Sequence, residues 1–432
     1  MNQIPAEPRQ NTAVPDIDLA ARIFEELRLR TAASRGVTRA SYGMGEQLAH
    51  DILKREAAKL DLSIQTDAAC NLYMTLPGRG RGKPIYIGSH LDSVPLGGNF
   101  DGAAGVLLGL SVIAGFCSAG VVPPCDIVLV AIRAEESTWF GASYIGSRAA
   151  FGQLAAEELD DVLRAGDRST LGAAIAAAGG DTASLRQGAA YLDPAAIGMF
   201  LEPHIEQGPV LLEQNLPIGI VTGIRGSFRY RHARCFGTYA HSGATGRSSR
   251  QDAVVAVSAL VVRLNALWKD LDAEGEDMTV TIGQFNTDAD EAAFSKVPGK
   301  VSFSLDLRSA SPDTLARLRR EVEARFQAIE TEMGVRFEPG APSGSTPARM
   351  HPGIVAGFEN AARMLRVPTR IMPCGAGHDA AVFAQMGVPT GMVFIRNRNG
   401  SHNPDEHMEI SDFAIAAEVV SALCLDPPQL SE

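Results

Sequence analysis

Three short runs constrain this chain more than anything else in it. "PIYIGSH" (84–90), "DIVLVAIRAEE" (126–136) and "TGMVFIRN" (390–397) are largely apolar, rich in β-branched residues, and bounded by Gly, Pro or charge. None alternates polar with apolar, so each has to be covered on both faces. Strands of that kind belong to parallel or mixed sheets flanked by helices. Between such runs the spacing turns helical: in QLAHDILKREAAKL (47–60), Leu48, Ile52, Leu53 and Leu60 are the apolar positions. The expected class is α/β, built on a large mixed or parallel sheet.

A middle segment has a different texture. "FRYRHARCF" (228–236) reads as a strand and "AVVAVSALVVRLNALW" (253–268) as a helix, while "MTVTIGQF" (278–285) and "VSFSLDL" (301–307) alternate as half-exposed strands. "SPDTLARLRREVEARFQAI" opens on a Ser-Pro-Asp start and repeats Leu315, Leu318, Val322, Phe326 and Ile329 at helical spacing; Val335 to Phe337 is a last strand. The order β-α-β-β-α-β is that of a ferredoxin-like α+β sandwich. The expected organisation is a first part at 1–223, an inserted domain at 224–341, and a second part of the outer domain at 342–432.

With 432 residues, 45% of them hydrophobic and 21% charged, the chain has material for a large core and two domains. A net charge of −11 supplies no basic face for nucleic acid or an anionic membrane, so a small molecule is the expected partner. The start, MNQIPAEPRQNTAVPDIDLA, has neither the basic end nor the apolar centre of a secretory leader. Six scattered cysteines without a CxxC pair read as thiols of a cytoplasmic protein. The charge-free stretch from Gly102 to Cys125 is broken by glycines and prolines, and reads as a buried helix and loop rather than a membrane span.

The polar residues gather at the ends of the apolar runs. His90 ends one strand, Asp92 follows it, and Asp101 precedes "GAAGVLLGL", where a helix N-cap is the simplest alternative role. Glu135 and Glu136 follow "IVLVAI" directly. His204 sits after a short apolar run beside Glu202, Glu206 and Gln207, and His402 lies in a Gly-Ser-Asn loop beyond the third strand. In open α/β sheets ligands gather outside the carboxyl ends of the strands. Three histidines and several carboxylates there point to a divalent metal site, with zinc, manganese, cobalt and nickel all left open by the spacing.

In order, the blocks "GSHLDSVPLGGNFDG", "RAEESTWFGASYIGS", "FLEPHIEQGPV", "AHSGATGRSSRQDA", "GAGHDA" and "GSHNPDE" resemble the hydantoinase/carbamoylase-type amidohydrolases. That group comprises N-carbamoyl-L-amino acid hydrolases, β-ureidopropionases and allantoate amidohydrolases, and is related to aminoacylases and di-zinc peptidases. The resemblance begins at "GVTRASYG" (36–43) and covers nearly the whole chain.

The resemblance implies that two divalent cations are held in each subunit. His90, Asp101 and His204 would hold one, and Asp101, Glu136 and His402 the other. Asp92 would orient His90, and Glu135 would be the general base. His241 would reach the partner subunit's site from the small lid and dimerisation domain as an oxyanion donor, implying a homodimer. Gln207 would contact the ureido or amide group and Arg308 the substrate carboxylate; Arg250 matches another family arginine or braces the helix start beside Asp252, and the loop 375–380 would line the pocket, with His378 and Asp379 supporting the metal shell. The chain departs from the family at Ser295, where an asparagine is usual, at Ala244 to Arg247, at Ser242, and at Arg225, Phe228 and Arg229. The implied reaction is hydrolysis of a carbamoyl, ureido or similar C–N bond in a small carboxylate. An aminoacylase-like, dipeptidase-like or aryl-amine hydrolase, and a non-catalytic binding protein on the same scaffold, are the alternatives.

Overall fold

The computed structural model describes residues 13–430; the first twelve residues, on which most of the leader expectation rests, lie outside them. The chain divides into two compact units. One comprises the residues up to Thr222 together with those from Met350 onward, the other Gly223–Arg349.

The first unit is built on a mixed sheet. Ile85–His90 lies between Ile127–Ile132 and Met199–Ile205, parallel to both, and Thr390–Ile395 continues parallel beside Met199–Ile205. Leu72–Leu76 and Ser63–Thr66 extend one side antiparallel, and Ile218–Ile224 flanks the other, also antiparallel. The four parallel strands therefore occupy the middle, where both faces are covered. That is why their sequences lack alternation. On one face Ile85, Ile87, Leu129, Leu201 and Val393 share a core with the helices Ile17–Arg30, Met44–Lys59, Ala103–Ala119, Pro352–Met364 and Ile410–Leu425. On the other, Phe200 stacks on Phe383 of Asp379–Gln385 with ring centroids 3.8 Å apart, and Phe151 meets Phe383 edge-on. Truncating one of these fully buried side chains to alanine removes about 2–5 kcal/mol.

The charge-free stretch forms the helix Ala103–Ala119, buried from Ala103 to Phe116. Its Gly105 lets the helix backbone approach the sheet: a Cβ there would lie 2.0 Å from the Pro203 carbonyl oxygen. No helix among the described residues is long and apolar enough to cross a membrane.

In the second unit, Lys300–Ser309 pairs antiparallel with Gly226–Phe236, which in turn pairs with Arg336–Glu338 and Ser343–Ser345. Helices Ala253–Glu274 and Pro312–Met333 bury Leu260, Leu264, Leu318, Val322 and Ile329 against Val301, Phe303, Leu305 and Leu307. The expected single strand at 278–285 is two pieces, Thr279–Thr281 and Phe285–Thr287, each paired to a different part of Lys300–Ser309. The break falls where Lys300–Ser309 shifts register against a bulge in Gly226–Phe236, and there the Ser304 hydroxyl accepts the Gln284 N–H. Ser343–Ser345 carries the sheet past residue 341.

Candidate metal centre

All four parallel strands end on the same side of the sheet, in register: His90 stands opposite Ile132 and His204 opposite Phe394. The chain leaving these ends carries His90 to Asp101, Glu135 with Glu136, His204 with Gln207, and the loop bearing His402. Asp101 is not a helix cap, because Gly102 occupies that position at φ +66°. Its carboxylate is turned inward instead. A Cβ at Gly102 would sit 2.5 Å from the His90 imidazole, so the turn is open only to glycine.

Two groups of ligand atoms result, each gathered within 4.8 Å: His90, Asp101 and His204, and Asp101, Glu136 and His402. Asp101 belongs to both. Its Oδ1 lies 3.1 Å from His204 Nε2 and 3.8 Å from His90 Nε2, and its Oδ2 lies 3.2 Å from His402 Nε2. His402 Nε2 is 3.4 Å from Glu136 Oε1, and Glu135 Oε2 is 3.9 Å from His90 Nε2. The outer nitrogens of two histidines are held from behind. His90 Nδ1 donates to Asp92 Oδ1 at 3.1 Å, and His204 Nδ1 to the Ile205 carbonyl at 2.9 Å. This fixes the tautomer that turns each Nε2 lone pair toward Asp101.

Asp92 collects more than His90. Its Oδ1 also accepts the Glu135 N–H at 3.2 Å, and its Oδ2 accepts the Ser41 hydroxyl at 2.6 Å and the Glu136 N–H at 3.1 Å. One buried carboxylate thus joins two strand ends. Glu406 makes a second such junction: Oε1 accepts the Phe100 and Asp101 N–H groups and Oε2 the Ser401 hydroxyl. Ser41, Ser401 and Glu406 were not singled out from sequence, although each lies in one of the blocks "GVTRASYG" and "GSHNPDE".

The electrostatics call for cations. Burial, then the charge of Asp101, pushes the Glu136 carboxyl up to about 7. Burial raises Glu135 well above the usual range, reinforced by Glu136 and Asp379. The Asp101 hydrogen bond, against burial, raises His402 to about 9. Protons are doing what divalent ions would do better, and buried Glu136 Oε1 has no hydrogen-bond donor. Three imidazoles and two carboxylates, one of them shared, converging in this way fit two hard-to-borderline divalent ions.

The other expected residues are distributed as follows. Gln207 Nε2 donates to Asp101 Oδ2 at 2.9 Å, while its Oε1 is buried without a partner. His378 is buried, its ring 4.2 Å from that of His204, and neither of its nitrogens has a hydrogen-bond partner. Asp379 accepts the Ser147 hydroxyl through Oδ1. His241, Arg250, Ser295 and Arg308 belong to the second unit. There, Ser295 and His241 lie side by side, the Ser295 carbonyl accepting the Ser242 N–H and Lys296 pairing with His241. Arg250 braces the loop after His241 by donating to the Thr245 and Ser242 carbonyls. Helix start 253 is capped by Asp252. Arg308 pairs with Asp306 at 2.9 Å, and Asp306 is shared with Arg229 at 3.2 Å.

The sequence signature of peptidase family M20/M25/M40 matches residues 86–426. An N-carbamoyl-L-amino acid amidohydrolase of Geobacillus stearothermophilus is 33% identical over 402 residues, covering 92% of this chain and 95% of the relative. The allantoate amidohydrolase of Escherichia coli (strain K12) is 30% identical over 391 residues, covering 90% and 92%. A hydantoinase/carbamoylase family amidase from Burkholderia multivorans has a similar solved structure, with a TM-score of 0.84 at 26% identity over 96% of this chain and 98% of that one. The chain belongs to peptidase family M20/M25/M40, among its hydantoinase/carbamoylase-type amidohydrolases.

Proposed function

We propose that this chain is a di-metal amidohydrolase that cleaves a carbamoyl, ureido or related non-peptide C–N bond in a small carboxylate-bearing molecule. The observation that carries this reading is the shared Asp101 carboxylate between two histidine-carboxylate groups, with Glu135 standing beside them but outside both. His90, Asp101 and His204 would hold one cation, and Asp101, Glu136 and His402 the other. Two divalent ions there, zinc, manganese, cobalt or nickel, would supply Lewis acidity and lower the pKa of water. Glu135 takes a proton from the attacking water and returns it to the departing nitrogen, acting as base and then acid. Its burial suits both steps, since a carboxyl held above its ordinary range is a better base than an exposed one.

Gln207 faces the substrate's ureido or amide group with the Oε1 atom that has no partner among the described residues. Arg308, Ser295, Arg250 and His378 are assigned to substrate binding, with the Arg308 guanidinium gripping a carboxylate. His241 is the oxyanion donor, supplied by a second copy of this chain in a homodimer. Its Nδ1 accepts the Gly243 and Ala244 N–H groups at 3.2 and 3.1 Å, so the proton sits on Nε2 as a donor requires. Six cysteine thiols accord with a cytoplasmic enzyme.

The test is ammonia release by metal-reconstituted protein from N-carbamoyl amino acids, allantoate and ureidopropionate. The expected result is activity in the wild type and its collapse in a Glu135→Gln variant that keeps its metal. Release of an acid and an amine from N-acyl substrates alone would overturn the carbamoyl reading.

A further inference from the structure

Glu135 and Glu136 reach the site because the chain turns sharply within two residues of the end of Ile127–Ile132. The turn depends on Ala134, which lies at φ +53°, a left-handed conformation that a side chain with a Cβ rarely adopts. Such a residue persists only where its surroundings hold it. The Ile145 and Gly146 N–H groups bond the Ala134 and Arg133 carbonyls, and the side chain that takes the Ala134 N–H is Glu46, completely buried on the helix Met44–Lys59. Its Oε1 accepts the Ala134 N–H at 2.9 Å. Its Oε2 accepts Arg133 Nη1 at 2.9 Å and the N–H of Tyr42, itself at φ +53°, at 2.7 Å. Arg133 is almost fully buried and also donates to Gln47 and to the Cys70 carbonyl. None of the hydrogen bonds of Glu46 goes to a residue of the two ligand groups.

We infer that Glu46 is a positioning residue for the reaction, its carboxylate holding the Arg133–Ala134 turn in the one conformation that presents Glu135 and Glu136 to the centre. This rests on the reading that Glu136 is a ligand and Glu135 the base. It assigns a role to a segment, Ser41 to Gln47, that the reaction itself does not use: Ser41 secures Asp92 behind the turn while Glu46 secures the turn itself. His90 and His204 are carried on other strands, and His90 meets the turn only through Asp92, which Ser41 also holds. The consequence is selective. Loss of Glu46 should loosen the cation bound through Glu136 and leave the one bound by His90, Asp101 and His204 in place.

Glu46→Gln tests this. A glutamine has one oxygen, and the Arg133 cation with the Tyr42 N–H will claim it, leaving the amide NH2 against the Ala134 N–H. Zn²⁺ is titrated into metal-free protein against a chromophoric chelator, and steady-state rates are measured on the best substrate of the panel above. The second equivalent should bind about 10–100-fold more weakly with the first unchanged, and kcat should fall while KM moves little. Adding Ala134→Gly to Glu46→Gln should recover much of the loss, because glycine enters φ > 0 without a holder. Should Glu46→Gln fail to fold, the paired replacement Glu46→Leu with Arg133→Met, which removes both buried charges together, carries the same titration. The inference is overturned if both equivalents keep wild-type affinity, if both weaken together alongside the melting transition, or if glycine at 134 recovers nothing. Fewer than two equivalents in the wild type would overturn the reading of the centre, and this inference with it.

Discussion

Replacing Asp92 by asparagine probes the centre most directly, because the change is isosteric and its two effects oppose each other. The carboxylate receives four donors, two on each oxygen. Asparagine keeps one oxygen. If that oxygen stays with His90 and Glu135, the Ser41 hydroxyl can rotate to accept from the new NH2, but the Glu136 N–H is left facing a donor. An orphaned, buried backbone donor costs about 1–3 kcal/mol. Against this, Asp92 is one of the charges that hold the Glu135 and Glu136 carboxyls upward, and neutralising it relieves repulsion in the metal-free protein. The apo melting temperature should therefore move by only a few degrees. The metal-loaded protein has no such relief, since the charge removed was offsetting the cations. Affinity should fall about 10–100-fold, or about 1.4–2.7 kcal/mol. Differential scanning fluorimetry of apo protein, paired with metal titration, separates the two effects. A variant that melts far lower yet binds metal as the wild type does would make Asp92 a strut of the fold and not a holder of the centre.

Further outcomes follow from other positions. Gly102→Ala should fold yet bind at most one cation tightly, because its Cβ must displace the His90 imidazole; metal stoichiometry by mass spectrometry checks it. Native protein should expose few thiols to a colorimetric thiol reagent at pH 8, with half-buried Cys117 reacting first, since burial pushes Cys235 up to about 12 and raises Cys424 further; all six should react after unfolding. Glu26, held at about 2 chiefly by hydrogen bonds from Arg55 with Arg30 in support, has a folded pKa below its unfolded value of 4.5. Its contribution is complete above that value and is lost as pH falls toward 2. The difference in melting between wild type and Glu26→Gln should be small, under about 1 kcal/mol, at neutral pH and vanish near pH 2.

The strands Ile85–His90, Ile127–Ile132 and Thr390–Ile395 were legible because double-sided burial leaves uninterrupted apolar runs. Met199–Ile205 was only half legible. It lies between two of those strands, yet it carries Glu202, Pro203 and His204, all buried. Burial of Glu202 is balanced by the Ser89 hydroxyl and the Ala380 N–H, partners far away in the chain. No local pattern announces such long-range compensation. The candidate ligands themselves stood out because histidine and paired acids at strand ends have few other uses together. What holds them did not: Glu46 reads as an ordinary acidic residue in a helix's first turn, and Ser41 and Ser401 as loop serines. Ala134 is the clearest case. Alanine carries no signal of a left-handed conformation, which here is met by long-range partners, Glu46 on its N–H and Ile145 on its carbonyl.

The central sheet also sets the order in which the molecule comes into being. Thr390–Ile395 docks beside Met199–Ile205, with Thr390 opposite Phe200. A ribosome emitting 5–20 residues per second needs roughly 10–40 s to cross the interval between them. For that time the nascent first half shows an open, apolar strand edge, the kind of surface that chaperones hold and that aggregation exploits. The inserted unit shortens the eventual closure, because its ends, Gly223 and Arg349, pair with one another and bring the two halves of the outer unit back together like the stem of a hairpin. His402 then emerges as nearly the last of the proposed ligands, so the cation proposed for Asp101, Glu136 and His402 would be captured only by the finished chain.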